Sequence, residues 1–462
     1  MIRKILQTLS DAIKGSETDL TSGNVNKAIA LLAIPMIIEM FGEGLFAVVD
    51  AYFVSMLSNE AFATVVLTET VSTIVYALAI GISIAAAAMV ARRVGEKNHK
   101  AAAEAAAQTI LVAFVVSILI TLVGIFFSED LLRMMGADDE VIKIGVPYTQ
   151  ILLGSNIVIM LLFILNGVFR GAGDATMAMR SLWIANALNI ILDPILIFGL
   201  GPIPAMGIMG AAIATTFGRG MGVLFQLYIL FNGKRIIQLA KSQFKANWVL
   251  IKKILNIGST GAGQHIIASA SWIFLMRLVA EFGTDAVNGY GLAIRIIIFT
   301  ILPAWGIANA GATLMGQNLG AEQPERAETS VWRAAYLNAA FLFTVSVLYF
   351  IFAESLIGIF NDDANVIAIG TQALRIFSIG YIFFGFAMVL SQAFGGAGDT
   401  RTPTVVNIIA FWLIQIPLAY YLTKQLAWGL DGVFWAVVIS EVIMTIIFVI
   451  VFRRGKWKTI EI

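Results

Sequence analysis

The chain has 462 residues, 59% of them hydrophobic and 13% charged, with a formal net charge of +1 and a mean hydropathy of +0.88. Soluble domains run near half apolar and a quarter charged, so this composition reads as a membrane protein, and the near-zero charge excludes a broad nucleic-acid surface. The absence of cysteine excludes disulfides and thiolate metal sites, and the presence of only His99 and His265 argues against a multi-histidine metal or haem centre.

Residues 1–27 are mixed and charged, without a long apolar core followed by a small-residue cleavage site, and read as a retained cytoplasmic segment. A short amphipathic helix at the lipid surface and a disordered tail are equally open for it. Twelve apolar stretches follow, at 28–56, 61–91, 105–127, 141–167, 176–200, 207–231, 250–281, 286–314, 331–353, 366–392, 403–423 and 432–452. Each approaches or exceeds the roughly 20 residues that cross hydrocarbon as a helix, and no alternating barrel pattern is present. The expected organisation is an N-lobe of six spans (28–231), a cytoplasmic linker (232–252), a C-lobe of six spans (253–452) and a cytoplasmic tail (453–462).

Lys and Arg set the orientation. With both termini inside, only Arg133, Lys143 and Lys424 fall outside, and Arg219, Arg277, Arg295 and Arg375 fall within spans. Every other Lys and Arg then lies on the inner side. The expected location is the plasma (inner) membrane with both termini cytoplasmic.

The two halves resemble each other. "RRVGEKNHKAA" (92–102) aligns with "QNLGAEQPERA" (317–327), "LLRMMGADDEVIKIG" (131–145) with "LIGIFNDDANVIAIG" (356–370), and "FRGAGDA" (169–175) with "FGGAGDT" (394–400). Gly95 and Gly320, Gly145 and Gly370, and Asp174 and Asp399 are each 225 residues apart. Six spans separate the copies, so both enter the membrane the same way round. That is a parallel repeat, whose expected pseudo-twofold runs along the membrane normal, with a cavity between the lobes. Such a geometry suits transport.

Polar residues inside the spans carry the chemistry. In the first span, Glu39, Glu43 and Asp50 fall within about 60° of one another on a helix. They should face water or a partner, since lipid exposure of an acid is costly. Pairing with intramembrane arginines and a direct role are both open for Glu39 and Glu43; for Asp50 a functional role is the favoured reading. Pro35 removes a backbone bond and permits bending. In the fifth span Asn186, Asn189 and Asp193 share a face, a set of oxygens suited to a proton or a small hard cation such as Na⁺. Pro194 either frees backbone carbonyls there or merely kinks the helix, and Asn189 either binds or bridges helices. The sixth span puts Ala211, Thr215 and Arg219 on one face. Thr215 offers a hydroxyl, and Arg219 reads first as an ion-pair partner for Glu39, Glu43 or Asp193.

The motifs "RGAGDA" and "GGAGDTRTP" read as cytoplasmic turns in which Asp174 or Asp399 caps the next helix. Neither follows a strand or contains a Walker lysine. In the seventh span His265, beside Gln264, reads as packed or cavity-lining in preference to a proton relay. Tyr148, Trp272, Trp305, Tyr381 and Trp412 either line a polyspecific apolar cavity or pack.

Taken together, "IP" followed fifteen residues later by Asp50, the "ARRVGE" and "MGQNLGA" loops, "FRGAGD", "LNIILDP" and "GAAIAT" resemble the MATE (multidrug and toxic compound extrusion) family, across essentially all twelve spans. The resemblance implies an all-α membrane protein: a V-shaped MATE fold of 12 transmembrane helices in two pseudo-symmetric six-helix bundles. It implies secondary active export of cationic or amphipathic small molecules by H⁺ or Na⁺ antiport through alternating access, with no cofactor, no nucleic-acid partner and a monomeric state. The family's N-lobe cation site matches Asp50, Asn166, Asn189, Asp193 and Thr215, with a carbonyl from Ala211; Na⁺, if it is the ion, falls to Asp50, Asn189, Asp193 and Thr215. Pro35 matches the proline at which the first helix is proposed to bend. NorM-like members carry acids in the seventh and tenth spans, and 254–278 and 366–392 here have none, which brings the chain closer to the DinF-like branch and argues against a second-lobe cation site. Glu39, Glu43 and Arg219 lie outside the matched pattern, as further cavity charges.

Two rival classes are disfavoured. A lipid-linked precursor flippase of the same superfamily should present basic cavities, whereas the N-lobe spans set Glu39, Glu43, Asp50 and Asp193 against Arg219. A membrane enzyme would need a metal or nucleophile constellation that these residues do not supply.

Overall fold

The computed structural model describes residues 2–15, 19–232 and 235–462, with side chains from residue 7 onward. Lys234 and the side chains of Arg3 and Lys4, which the expected orientation puts on the inner side, lie outside the described residues. Among the described residues the chain is helical, and a single isolated bridge, Leu200 with Ile203, is its only β pairing.

The elements run as α1 (Ile2–Lys14), α2 (Val25–Ser55), α3 (Asn59–Gly95), α4 (His99–Phe126), α5 (Ser128–Met134), α6 (Asp139–Gly154), α7 (Asn156–Gly171), α8 (Ala175–Phe198) and α9 (Ile208–Phe231). The second half repeats the scheme with α10 (Trp248–Ala280), α11 (Thr284–Gly320), α12 (Pro324–Gly358), α13 (Ala364–Gly396), α14 (Arg401–Asn407), α15 (Ile416–Tyr420) and α16 (Leu430–Arg453). Segments Ile408–Gln415 and Tyr421–Gln425, on either side of α15, are wound as π-helix. Pro417 sits between them and has no N–H to give a regular ladder.

Eleven segments among the described residues are long and apolar enough to cross a membrane, with α6–α7 and the run Arg401–Gln425 each acting as one. The remaining expected span, 250–281, is α10, a continuous helix of 33 residues. Gln264, His265 and Arg277 leave it less apolar than the others. Of the two forms open to the N-terminal segment, the helix is the one adopted. Its C-terminal carbonyls are taken up by α8: the Thr176 hydroxyl donates to Ala12 O at 3.0 Å and Arg180 donates to Lys14 O at 2.9 Å.

The chain forms two compact units. One holds residues 1–18 and 38–262, the other 19–37 and 263–462. The division cuts α2 between Ile37 and Ile38 and α10 between Ala262 and Gly263, which are equivalent points 225 residues apart. Pro35 precedes the first of these cuts by two residues.

Within each unit the same backbone contacts recur at that offset. A methyl group on Gly171 would strike the carbonyl of Ala87, and one on Gly396 would strike that of Ala312. Left-handed backbone repeats too, at Lys97 (φ 58°) and Glu322 (φ 59°) and at Gly173 (φ 86°) and Gly398 (φ 89°). Non-glycine residues rarely adopt this region, so its recurrence at Lys97 and Glu322 marks a shared loop geometry. The Asp399 carboxylate caps α14 by accepting from the Thr402 N–H at 3.0 Å. Asp174 occupies the equivalent place, but its carboxylate pairs with Arg235 at 3.5 Å instead of capping α8.

In lipid, helices associate through close backbone packing more than through hydrophobic burial. On α9 the stripe Gly210, Ala214, Gly218, Gly222 supplies this. A methyl at Gly210, Gly218 or Gly222 would stand 2.5, 2.6 or 2.9 Å from backbone carbonyl oxygens of α8. The two backbones therefore run in contact, and side chains flanking the stripe meet across the seam.

Gly396→Ala is expected to destabilise the protein by roughly 1–3 kcal/mol through overpacking, whereas Gly263→Ala, whose methyl finds nothing within 4 Å, is expected to be neutral or slightly stabilising. Thermal unfolding of the two purified variants checks this; equal effects would contradict the close-packing reading.

Candidate cation site

The first unit carries a ladder of polar side chains that starts from the α2 face bearing Glu39, Glu43 and Asp50. Residues four and seven apart return to nearly the same face of a helix, so facing helices can each present a matching series.

Glu39 is fully buried. Its Oε1 accepts from Arg170 at 2.6 Å and from the Asn166 amide at 3.1 Å. Arg170 and Asn166 are four apart on α7 and reach the acid together. The Asn166 carbonyl in turn accepts from Gln226 at 2.5 Å and from the Ser181 hydroxyl at 3.4 Å. The structure thus spends the Asn166 side chain on Glu39, Gln226 and Ser181, separate from the Asn189 and Asp193 set with which the resemblance grouped it. The partner of Glu39 is Arg170, which the sequence reading placed in a loop.

One turn on, Glu43 accepts from Arg219 at 3.2 Å, and Arg219 also donates to the Tyr76 hydroxyl at 3.0 Å. The guanidinium lies over the Phe46 ring, 5.1 Å from its centroid. Buried Arg219 is therefore enclosed by an acid, a phenol and two aromatic faces, as favours a desolvated guanidinium.

Beyond this pair sit the acids without a base of their own. Asp193 is fully buried; its Oδ1 accepts from the Asn189 amide at 3.2 Å, and the same amide donates to the Thr215 hydroxyl at 3.1 Å. With both donors used, Asn189 presents its carbonyl. The Asn189 Oδ1, the Asp193 Oδ2 and the Asp50 Oδ1 are all buried without a partner among the described residues. Asp193 lies in the field of Asp50, and Asp50 in that of Glu69 and Arg219. Ala211, one turn before Thr215, is buried in an apolar cluster with Val54, Val65, Tyr148 and Ile197, which closes the side of the site toward the end of the unit. Asp50 and Asp193 each lie five residues before the end of their helix, about 8 Å along the axis.

The donor chemistry fits a proton or a hard monovalent cation: orphaned carboxylate and amide oxygens, a hydroxyl, and no thiolate or imidazole. Along the ladder five acids (Glu39, Glu43, Asp50, Glu69, Asp193) face two guanidinium groups (Arg170, Arg219). Two pairs close, and Asp50, Glu69 and Asp193 remain.

Sequence reading missed Glu69, Tyr76, Arg170 and Gln226. Glu69 interrupts the apolar run 61–91 and met the same criterion as the acids that were singled out. Arg170 was hidden because α7 continues to Gly171, beyond the expected end of its span. In the second unit His265 stacks on Trp305, with ring centroids 5.6 Å apart and planes 3° from parallel. The pair Gln264–Ser391, at 2.9 Å, stands where Glu39–Asn166 stands in the first unit, each residue displaced by 225. The same contact is kept there with the charge removed.

Removing one member of the buried Glu39–Arg170 pair should cost more than removing both. Arg170→Met is expected to lower stability by about 3–5 kcal/mol, because it strands a buried carboxylate, and Glu39→Gln combined with Arg170→Met is expected to recover most of that. A double-mutant cycle on the unfolding midpoint measures the coupling; additive losses would mean that the pair is not closed.

A family model described as MatE matches residues 35–195 and again 262–421, one match in each repeat. Over 435 residues the chain is 26% identical to a protein from Thermotoga maritima named probable multidrug resistance protein NorM, covering 94% of this chain and 93% of that one. Over 434 residues it is 25% identical to a protein from Shewanella oneidensis named FAD transporter, covering 92% and 94%. A solved structure described as the outward-facing conformation of a multidrug resistance MATE family transporter of the MOP superfamily superposes with a TM-score of 0.89 at 28% identity, covering 96% of this chain and 98% of that one.

Proposed function

The chain belongs to the MatE family of membrane transporters, and from that premise we propose that it exports cationic or amphipathic small molecules by antiport with H⁺ or Na⁺. The observation that carries this reading is the surplus of acid in the first unit: after Arg170 and Arg219 have closed their pairs, Asp50 and Asp193 each keep a buried carboxylate oxygen without a partner among the described residues, with the exposed Glu69 adding to the same negative field. A desolvated acid without a counter-ion holds a cation or takes up a proton.

The coupling ion is held by the free oxygens of Asp50, Asp193 and Asn189, with the Thr215 hydroxyl beside them. Its charge replaces the one that a cationic substrate would supply, so ion and substrate compete for the same negative field. Coupling requires that each binds the two access states unequally. α2 is suited to link binding to a change of state, because Pro35 lies beside the point at which that helix passes from one compact unit to the other. We assign the N-lobe to 28–231 and the C-lobe to 253–452, with both termini cytoplasmic in the plasma membrane, on the strength of the basic-residue bias. The FAD transporter among its relatives invites an anionic substrate, and so would a flippase for lipid-linked precursors; the acid surplus disfavours both.

Asp50→Asn and Asp193→Asn are each expected to reduce ion-driven export at least about tenfold, the scale of a lost 1.4 kcal/mol of coupling, while folding is retained. Efflux from proteoliposomes under separately imposed pH and Na⁺ gradients checks this and identifies the ion. Full export by both variants would overturn the assignment.

A further inference from the structure

The second unit contains a cavity of about 700 Å³ between the C-terminal end of α12 and the N-terminal ends of α13 and α16, lined by Glu354, Thr371, Gln372, Arg375, Asp431 and Trp435 among others. Its lining comes from the second unit alone, and it shares no residue with the acid ladder. Arg375 is eleven residues into α13, a depth of about 17 Å along the helix. Its Nε donates to Phe350 O at 3.2 Å and its guanidinium lies 5.9 Å from the Phe350 ring centroid. Those contacts fix the group while both Nη atoms donate to nothing among the described residues. Neither Glu354 nor Asp431 comes within ion-pair distance of it. Asp431 accepts from Gln372 at 2.7 Å through Oδ2. Thr371 is 7% exposed, and its hydroxyl, on the cavity wall one turn from Arg375, has no partner among the described residues.

Unpaired charges of both signs, held apart around one space, are complementary to a molecule that carries both signs. We propose that this cavity binds a zwitterion composed of a phosphate and a primary ammonium, the chemistry of an aminoethyl phosphate group. The phosphate meets the two free Nη groups of Arg375 and the Thr371 hydroxyl, in the fork geometry that guanidinium offers to phosphate oxygens. The ammonium has three donors to satisfy and finds Glu354, the free carboxylate oxygen of Asp431 and the face of Trp435. The volume exceeds such a head group and leaves room for a glycerol backbone, so the group can arrive on a phospholipid or as a free solute.

The test measures the unfolding midpoint of the full-length purified protein with four probes: short-chain phosphatidylethanolamine, phosphatidylcholine, phosphatidylglycerol and soluble O-phosphoethanolamine. Phosphatidylethanolamine or O-phosphoethanolamine is expected to raise the midpoint, and which of them does so at lower concentration identifies the source as lipid or solute. Phosphatidylcholine, whose ammonium donates no hydrogen bond, is expected to need roughly tenfold more. Arg375→Gln is expected to abolish the shift and Arg375→Lys to retain part of it. Should Arg375→Gln fail to fold, Glu354→Gln combined with Asp431→Asn is expected to remove the preference for a primary ammonium. No shift from any ammonium-bearing probe, an equal shift from phosphatidylglycerol, or shifts unchanged in the variants would each overturn the proposal.

Discussion

A carboxylate inside a bundle that spans hydrocarbon must be paired, neutralised or kept wet, and this constraint organises the first unit. Glu39 and Glu43 meet it with fixed guanidinium partners from α7 and α9. Asp193 meets it only in part, through one neutral amide, and Asp50 has no partner for its buried oxygen among the described residues. The same desolvation that makes a closed pair rigid makes an open acid responsive. A unit that contains both kinds has a stable frame and one place where its charge can change.

Close helix contact is what brings these groups together. The small-residue stripe of α9 lays it against α8, and that approach lets Asn189 span from Asp193 to Thr215. The second unit repeats the backbone contacts, down to the positions of left-handed residues, but not the charges. Gln264 and Ser391 keep a neutral copy of the Glu39–Asn166 contact, and Arg219 has no basic counterpart in α16, where Glu441 lies against Gly380 of α13 instead. One ancestral packing scheme therefore carries two different polar interiors. The second unit places its own unpaired charges at a helix-end cavity.

Much of this was legible in the sequence because hydrocarbon imposes simple rules. Apolar runs gave the spans, and the constant 225-residue offset gave the repeat. Polar residues in a run such as "NALNIILDP" announced themselves because each is expensive there. The rest depended on facts that a single helix does not contain. Which arginine would pair with Glu39 turned on α7 extending through Arg170, and helix ends are the least determinate feature of a sequence. Asn166 matched a site pattern, yet its amide is engaged by Glu39 and Gln226, because hydrogen-bond competition is decided by three-dimensional neighbours. Glu69 needed only the rule already applied to Asp50. Pro417 marked a break in the regular ladder without saying that the flanking turns would be wound as π-helix, and the points at which α2 and α10 divide between units are set by contacts that one helix does not contain.

The affinity of a cationic substrate for the purified protein, measured across a matrix of pH and Na⁺ concentration, tests most directly whether the open acids hold an exchangeable cation. If Asp50 and Asp193 form that site, affinity falls as the coupling ion rises and the two behave as competitors, while Asp193→Asn flattens the dependence. Affinity that is indifferent to both ions in the unmodified protein would contradict the claim at its centre.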